Sequence, residues 1–398
     1  MNQETGNINT TGHEINDSYQ MVEGDEALNA LCRQWQERDF LAMDTEFIRT
    51  STFYPQVGLI QVNAGSLENY LIDPLTISDW TLFSELMRDE GIIKIFHSCS
   101  EDLQVFMASM NLVPYPVFDT QIAAALLDEG FGMSYQNLVK VLLDIELPKG
   151  ETRSDWLQRP LDERQLHYAA LDVACLPLIY KAQENALATQ GRLSWHAEEC
   201  RLLIEIYERE MTGNFSDYYL NMRGAWQLSS RQLGLLKQLA EWRENRARDR
   251  DKPRNWIIRD KSLMEIARQF PEDLNQLGRI EEISRNFLRH EGQQVLDMVQ
   301  EAREIPEDAL PLELPRPLDG RSKNRLKRGQ GFVEAKAAEL GLPMEMLSRK
   351  RWLVELLQSM LETERSSGAE NTGSIVVPTE FSGWRHALLF PGLTEAMK

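Results

Sequence analysis

The chain has 398 residues, 42% of them hydrophobic and 26% charged, which is too long for one ordinary core and apolar enough for two or three domains. Its formal net charge of −19 argues against a polyanion-binding surface spread over the whole molecule and leaves any such task to local basic patches. No stretch approaches the roughly 18 apolar residues that span a bilayer. The four cysteines, Cys32, Cys99, Cys175 and Cys200, lack the spacing of a zinc knuckle or a disulfide scaffold. The expectation is a protein of the reducing cytoplasm with no membrane partner.

Met1 to Gln20 has neither the basic nor the apolar segment of a secretory signal and reads as a disordered tail. Residues 21–208 read as an α/β domain. Helical spacing predicts a helix over Glu26–Arg38, then strands at Phe40–Phe47, Val57–Val62 and Asn69–Asp73. A helix over Leu82–Arg88 leads to a buried strand at Ile92–Phe96, a helix over Asp102–Met110 and a short strand at Val117-Phe118. Thr120 is placed to cap a helix over Gln121–Leu127. Strands alternating with helices favour a sheet covered on both faces.

Beyond about residue 195 the strand signals vanish. A linker over 209–225 leads to an all-helical domain at 226–304, a proline-rich linker at 305–319, and a second helical block at 320–398. The two blocks have similar size, which leaves a degenerate internal duplication open, but no residue-level repeat is evident between them. Trp384 and the apolar run Ala387–Phe390 are expected to dock on another part of the chain.

The chemistry concentrates in carboxylates. Asp44 and Glu46 end the first strand two residues apart, so they share a face. Asp102 follows the Ile92–Phe96 strand, and ligands in open α/β sheets gather at strand carboxyl ends. Tyr168 and Asp172 are four apart on a helical pattern and share its face. Phosphodiester cleavage needs an activated water and a stabilised leaving oxygen, and two divalent ions supply both. Asp44, Glu46 and Asp172 are expected to hold the first ion. Asp44 bridges to the second, which Asp102 reaches directly or through water, and Tyr168 orients the attacking water. An Asp-x-Glu alone recurs by chance; the order and placement of the whole set give it meaning.

Asp44-Thr45-Glu46-Phe47, Leu59-Ile60-Gln61, His97-Ser98 with Asp102-Leu103, and Tyr168 with Asp172-Val173 together resemble the exonuclease motifs of the DEDD superfamily, tyrosine subtype. The segment from Lys149 through Ser154-Asp155-Trp156 to Arg159-Pro160-Leu161 resembles bacterial ribonuclease D, and 226–304 resembles the helicase-and-RNase-D C-terminal (HRDC) domain. The match at 320–398 is weaker. The resemblance implies an RNase-H-like exonuclease fold with a mixed sheet flanked by helices, followed by two small helical domains. It implies two divalent cations, Mg²⁺ or Mn²⁺, and 5′-mononucleotides released from RNA 3′ ends, with tRNA precursors as substrates. A monomer is expected.

Phe47, Gln61, His97, Lys149, Arg153 and Arg159 are the expected substrate contacts. Phe53 and Tyr54 are further candidates to stack on a base. His167 neighbours Tyr168, but one helical residue turns the direction by about 100°, so Tyr168 shares the face of Asp172 and His167 does not. Arg243–Lys261 holds eight basic residues against four acidic ones, and Arg321–Arg328 holds five basic and no acidic residues; both are candidate phosphate contacts. A DNA exonuclease and a catalytically dead RNA-binding adaptor are the alternatives; contact with the 2′-OH separates the first from the leading reading, and loss of a carboxylate favours the second.

Overall fold

Runs rich in branched and aromatic residues pair into a six-stranded mixed sheet in the computed structural model, which describes residues 8–10, 13–15, 17–65, 68–148, 154–211, 213, 215–366 and 375–398. In chain order the first part comprises β1 (Ile8–Thr10), β2 (His13–Ile15), β3 (Tyr19–Val22), α1 (Asp25–Trp35), β4 (Phe40–Ile48), β5 (Gln56–Asn63), β6 (Asn69–Ile72), α2 (Thr81–Arg88), β7 (Ile93–Phe96), α3 (Ser100–Met110), β8 (Val117–Asp119), α4 (Thr120–Leu126), α5 (Tyr135–Leu143), α6 (Glu163–Ala174), α7 (Leu176–Thr189) and α8 (Leu193–Met211). The sheet order is β3-β6-β5-β4-β7-β8. β4 runs antiparallel to β5 and parallel to β7.

The segment read as a tail, 1–20, takes in two short strands and the start of a third among the described residues. β1 and β2 pair as a small antiparallel ribbon, and β3 enters the sheet from Tyr19, parallel to β6. Two helices, α5 and α7, lie outside the expected elements. The cap of α4 is Asp119, whose Oδ1 accepts from the backbone N–H groups of Gln121 and Ile122 (2.8 and 3.2 Å). Thr120 is instead the first helical residue, and its hydroxyl donates to the Phe96 carbonyl (3.1 Å).

Strand parity sets the two faces. Leu41 and Met43 of β4, with Ile60 and Val62 of β5, pack on Leu28, Trp35, Phe83, Leu103 and Phe106 of α1, α2 and α3. On the other face Leu59 and Leu71 meet Trp156, Leu161 and Ala169, the last from α6. Asp44 and Glu46 therefore emerge beneath α6, while Thr45 between them turns toward α3.

A second compact unit takes in Arg49–Tyr54 and Arg209–Leu318. It contains α9 (Ser230–Asp249), α10 (Arg254–Ile257), α11 (Asp260–Gln269), α12 (Leu274–Leu277) and α13 (Arg285–Glu304) around Leu235, Leu239, Leu263, Ile266, Val295 and Val299. Phe53 belongs to this unit and is buried. Arg248 and Arg254 lie over its ring at 4.7 and 4.8 Å, and the N–H groups of Phe53 and Tyr54 both donate to Asp251 Oδ1 (2.9 and 3.0 Å). That packing takes Phe53 away from any role as a base platform.

Residues Asp319–Lys398 group with the first part as α14 (Gly320–Leu340), α15 (Met344–Leu347), α16 (Lys350–Ser366) and α17 (Gly383–Ala396). Here the duplication that the similar block sizes allow becomes visible. Helix starts recur at a displacement of 90 residues: Ser230 and Gly320, Arg254 and Met344, Asp260 and Lys350. Pro253 and Pro343 precede the two short helices, and Ile258 and Ser348 follow them with matching extended backbones. Trp384 docks as expected: its ring stacks on Trp195 of α8 (4.6 Å, 10°), and neighbouring Arg385 is paired with Glu199.

Candidate active site

β4 and α6 build the site together. Asp44 and Glu46 share the α6-facing side of β4, a register irregularity between Glu46 and Phe47 re-aims the strand just beyond them, and Asp172 comes from α6. One oxygen from each carboxylate lies within 4.8 Å of the other two. Tyr168 sits one helical turn before Asp172. Its phenol interacts with that carboxylate, and its ring packs near Trp156, with centroids 6.3 Å apart. Trp156 is buried under the site. Gly58 of β5 is a glycine because any Cβ there would stand 2.5 Å from the Trp156 carbonyl oxygen.

Asp102 stands apart. It lies in the first turn of α3, is buried, and its Oδ1 accepts from the Thr45 hydroxyl at 2.6 Å. The four expected carboxylates thus divide into a close trio and one acid held from the opposite sheet face.

The electrostatics are those of crowded acids. Burial pushes Asp44 up to about 7, against the lowering effect of the Thr45 N–H. Burial pushes Glu46 up to about 10, with the charges of Asp44, Asp172 and Asp102 adding to it. Asp102 and Asp172 are raised well above the carboxylate range by burial and then by Asp44. The Tyr168 phenol is also raised, by burial first and then by Asp172, Glu46 and Asp44. No cationic side chain counts among these causes. Asp172 Oδ2 is buried with no hydrogen-bond partner among the described residues. Clustered hard oxygen donors with an orphaned buried oxygen fit divalent cations, whose charge would offset the repulsion.

The expected substrate contacts fare differently. Arg159 is committed to the fold: Nε and Nη2 clamp Asp73 (2.7 and 2.6 Å), Nη2 also reaches the Gly58 carbonyl (2.7 Å), and Nη1 reaches the Trp156 and Gln158 carbonyls. Every edge of its guanidinium is used internally, which speaks against the expected grip on RNA. His97 is likewise engaged on both ring nitrogens, with Thr120 Oγ1 (2.9 Å) and the Met133 carbonyl (3.0 Å), and burial lowers its pKa. It ties β7 to the loop before α5. Gln61 pairs in register with Asp44 and is fully buried, with neither amide atom partnered among the described residues; it lies beside Asp44 on the same sheet face and presents no surface to a substrate. Phe47 is half-buried just past the bulge. Lys149 and Arg153 lie outside the described residues. His167 is turned toward Asp17 (3.4 Å), off the Asp172 face.

The basic run Arg243–Lys261 is largely neutralised in place. Arg243 pairs with Asp260, Arg246 and Arg250 with Glu291, Arg248 and Arg254 with Glu244, Arg259 with Glu282, and Lys261 with Glu281. Two site residues escaped the sequence reading. Thr45 was signalled by parity, since the residue between Asp44 and Glu46 must face α3. Asp119 accepts from the Ser98 and Cys99 N–H groups (3.1 and 2.8 Å) and so fixes the turn that delivers Asp102; its signal was its place just before a helix.

Comparison with known proteins agrees with this geometry. A 3′-5′ exonuclease family model matches residues 19–188, and an HRDC domain model matches 232–299. Ribonuclease D of Pseudomonas paraeruginosa is 38% identical over 379 residues, covering 95% of this chain and 97% of that protein. Ribonuclease D of Escherichia coli is 35% identical over 383 residues, covering 96% and 99%. The crystal structure of the E. coli RNase D, described as an exoribonuclease involved in structured RNA processing, superposes with a TM-score of 0.83 at 34% identity, covering 96% of this chain and 98% of that one. The catalytic core of RRP6 from Trypanosoma brucei shares the fold, with a TM-score of 0.52 at 22% identity over 72% of this chain and 80% of that one. No helix among the described residues is long and apolar enough to cross a membrane. With its carboxylate site on an exonuclease fold and its similarity running the length of the chain, the protein belongs to the ribonuclease D family of metal-dependent, hydrolytic 3′→5′ exoribonucleases.

Proposed function

We propose that this exoribonuclease trims RNA 3′ ends, with tRNA precursors as its substrates, using Mg²⁺ or Mn²⁺ held by Asp44, Glu46, Asp172 and, from the other sheet face, Asp102. The observation that carries the assignment is the trio of carboxylates within 4.8 Å beside the Tyr168 phenol. When bound, two divalent cations supply charge compensation to the scissile phosphodiester and acidify the attacking water. The chain's own residues do the rest. Asp44, Glu46 and Asp172 fix the position of that charge. Thr45 holds Asp102 in one rotamer toward it. The Tyr168 phenol, kept protonated by its surroundings, gives its O–H to Asp172 and offers its oxygen to orient the water. Water gives up a proton to solvent as it adds to phosphorus, the bond to the 3′ oxygen of the penultimate nucleotide breaks, that oxygen takes up a proton from solvent, and a 5′-mononucleotide leaves. The chain acts in the cytoplasm as a monomer in this reading, since the trio comes from one chain.

Digestion of matched RNA and DNA oligomers with 3′ extensions, under Mg²⁺ or Mn²⁺, tests the reading. Wild type is expected to release 5′-mononucleotides from RNA, and Asp44→Ala none. Faster release from DNA, or undiminished activity in Asp44→Ala, would overturn it.

A further inference from the structure

Gln61 of β5 lies directly opposite Asp44 of β4 on one side and Leu71 of β6 on the other. Strand parity puts it on the α6-facing side of the sheet, with Leu59 and Asn63 as its neighbours along β5. It is fully buried, and neither Nε2 nor Oε1 has a hydrogen-bond partner among the described residues. Such an amide gives up its hydrogen bonds to water on folding and gets none back, a cost that calls for a compensating role. Asp172 Oδ2, in the carboxylate trio, is orphaned in the same way.

The surroundings narrow what this amide can serve. Leu59 and Leu71 are buried and apolar. Asn63, the other amide on this face of β5, is satisfied: its Nδ2 donates to Asn69 Oδ1 (2.9 Å) and its Oδ1 accepts from the Gly65 N–H (2.9 Å). Among the strand neighbours of Gln61, Asp44 remains. Directly opposed residues of an antiparallel pair have Cβ atoms about 4.5–5.5 Å apart, a span that a glutamine and an aspartate side chain close between them. Asp44 stands among acids, since one oxygen each from Asp44, Glu46 and Asp172 lie within 4.8 Å of one another. A cationic side chain beside this trio would compete with divalent cations for it. An amide donates a hydrogen bond and brings no charge. Carboxylates that ligate metals are themselves held by hydrogen bonds of this kind.

We propose that Gln61 is a positioning residue: its amide donates to the Asp44 carboxylate when divalent cations occupy the trio, and holds that carboxylate turned toward them. The proposal rests on the metal-dependent reading above. It makes Gln61 a residue that weakens the metal-free fold and strengthens metal binding.

Gln61→Met keeps the length of the side chain and removes both polar atoms, so it separates these two effects. In chelator, the full-length variant is expected to melt at or above the wild-type temperature, because an orphaned amide is gone. Its Kd for Mn²⁺, measured by isothermal titration without RNA, is expected to rise about 10- to 100-fold. At subsaturating Mn²⁺ its kcat should fall accordingly, with RNA KM unchanged. A melt below wild type in chelator makes Gln61 a packing residue and overturns the proposal. Gln61→Leu is measured beside it, and failure of both variants to fold has the same meaning. Unchanged Mn²⁺ affinity also overturns it, and with a raised RNA KM returns the amide to the substrate. A wild type that binds no Mn²⁺ overturns the metal reading of the trio, and this proposal with it.

Discussion

The Thr45 hydroxyl donates to Asp102 Oδ1 at 2.6 Å, and this one bond ties a carboxylate on α3 to the strand whose neighbouring residues point the opposite way. Asp44 and Glu46 reach the site from one sheet face, and Asp102 is steadied from the other. Thr45 passes the position of β4 to an acid 57 residues away.

Replacing Thr45 with Val keeps the shape and removes the donor. A buried carboxylate losing its partner costs about 1–3 kcal/mol, and Asp102 then samples other rotamers. Thr45→Val is expected to lower kcat about 10- to 100-fold with little change in RNA KM, and Thr45→Ser to restore most of it. Steady-state kinetics on a short RNA, with metal titrated to saturation, checks this.

The crowded acids set a pH dependence on the metal-free protein. Asp44 rises from 3.8 to about 7 and Glu46 from 4.5 to about 10 on folding. Each raised acid contributes stability below its unfolded value, and that contribution is lost as pH rises through its folded value. Metal-free protein should therefore become progressively less stable from about pH 4 towards pH 10, and divalent cations should reverse the loss. Asp44→Asn should flatten the lower part of the slope. Thermal melts in chelator across that range, repeated with added Mg²⁺, provide the measurement. A melt that rises with pH contradicts the assignment.

Tyr168 is held above its ordinary pKa by burial and by Asp172, so it acts as a donor across the working pH range. Tyr168→Phe is expected to cut kcat about 100-fold while leaving metal affinity unchanged. The remaining activity should follow the wild-type pH profile, because no ionisation of the phenol is involved. Isothermal titration with Mn²⁺ beside pH–rate curves separates positioning from metal ligation.

Arg159 serves the fold. Its side chain is about a quarter exposed and Asp73 is nearly buried, so after solvent screening the pair is worth roughly 2–3 kcal/mol. Arg159→Ala should lower the melting temperature while leaving RNA KM unchanged below it. Gly58→Ala should also destabilise, because the new Cβ would meet the Trp156 carbonyl at 2.5 Å. A raised KM with an unchanged melt would return Arg159 to the substrate.

Spacing in the sequence made the carboxylate trio and much of the layout readable. Asp44, Glu46 and the Tyr168–Asp172 pair were legible because strands repeat every two residues and helices every 3.6, so spacing alone fixes which side chains share a face. β4, β5 and β7 were legible for the same reason. Only the tertiary structure decided that Asp102 stands apart on Thr45, because which face of which neighbour it meets depends on sheet order. Only it decided that Arg159 and His97 are spent on Asp73, Thr120 and Met133: a polar side chain looks the same in sequence whether its partner is RNA or a residue 86 positions away. The basic run around Arg243 was neutralised by Glu244, Glu281, Glu282 and Glu291 for that reason. The duplication of the helical blocks was open from their size, but its 90-residue register was not, because helix packing constrains size and apolarity at core positions such as Leu263 and Leu353 and leaves the rest free to diverge.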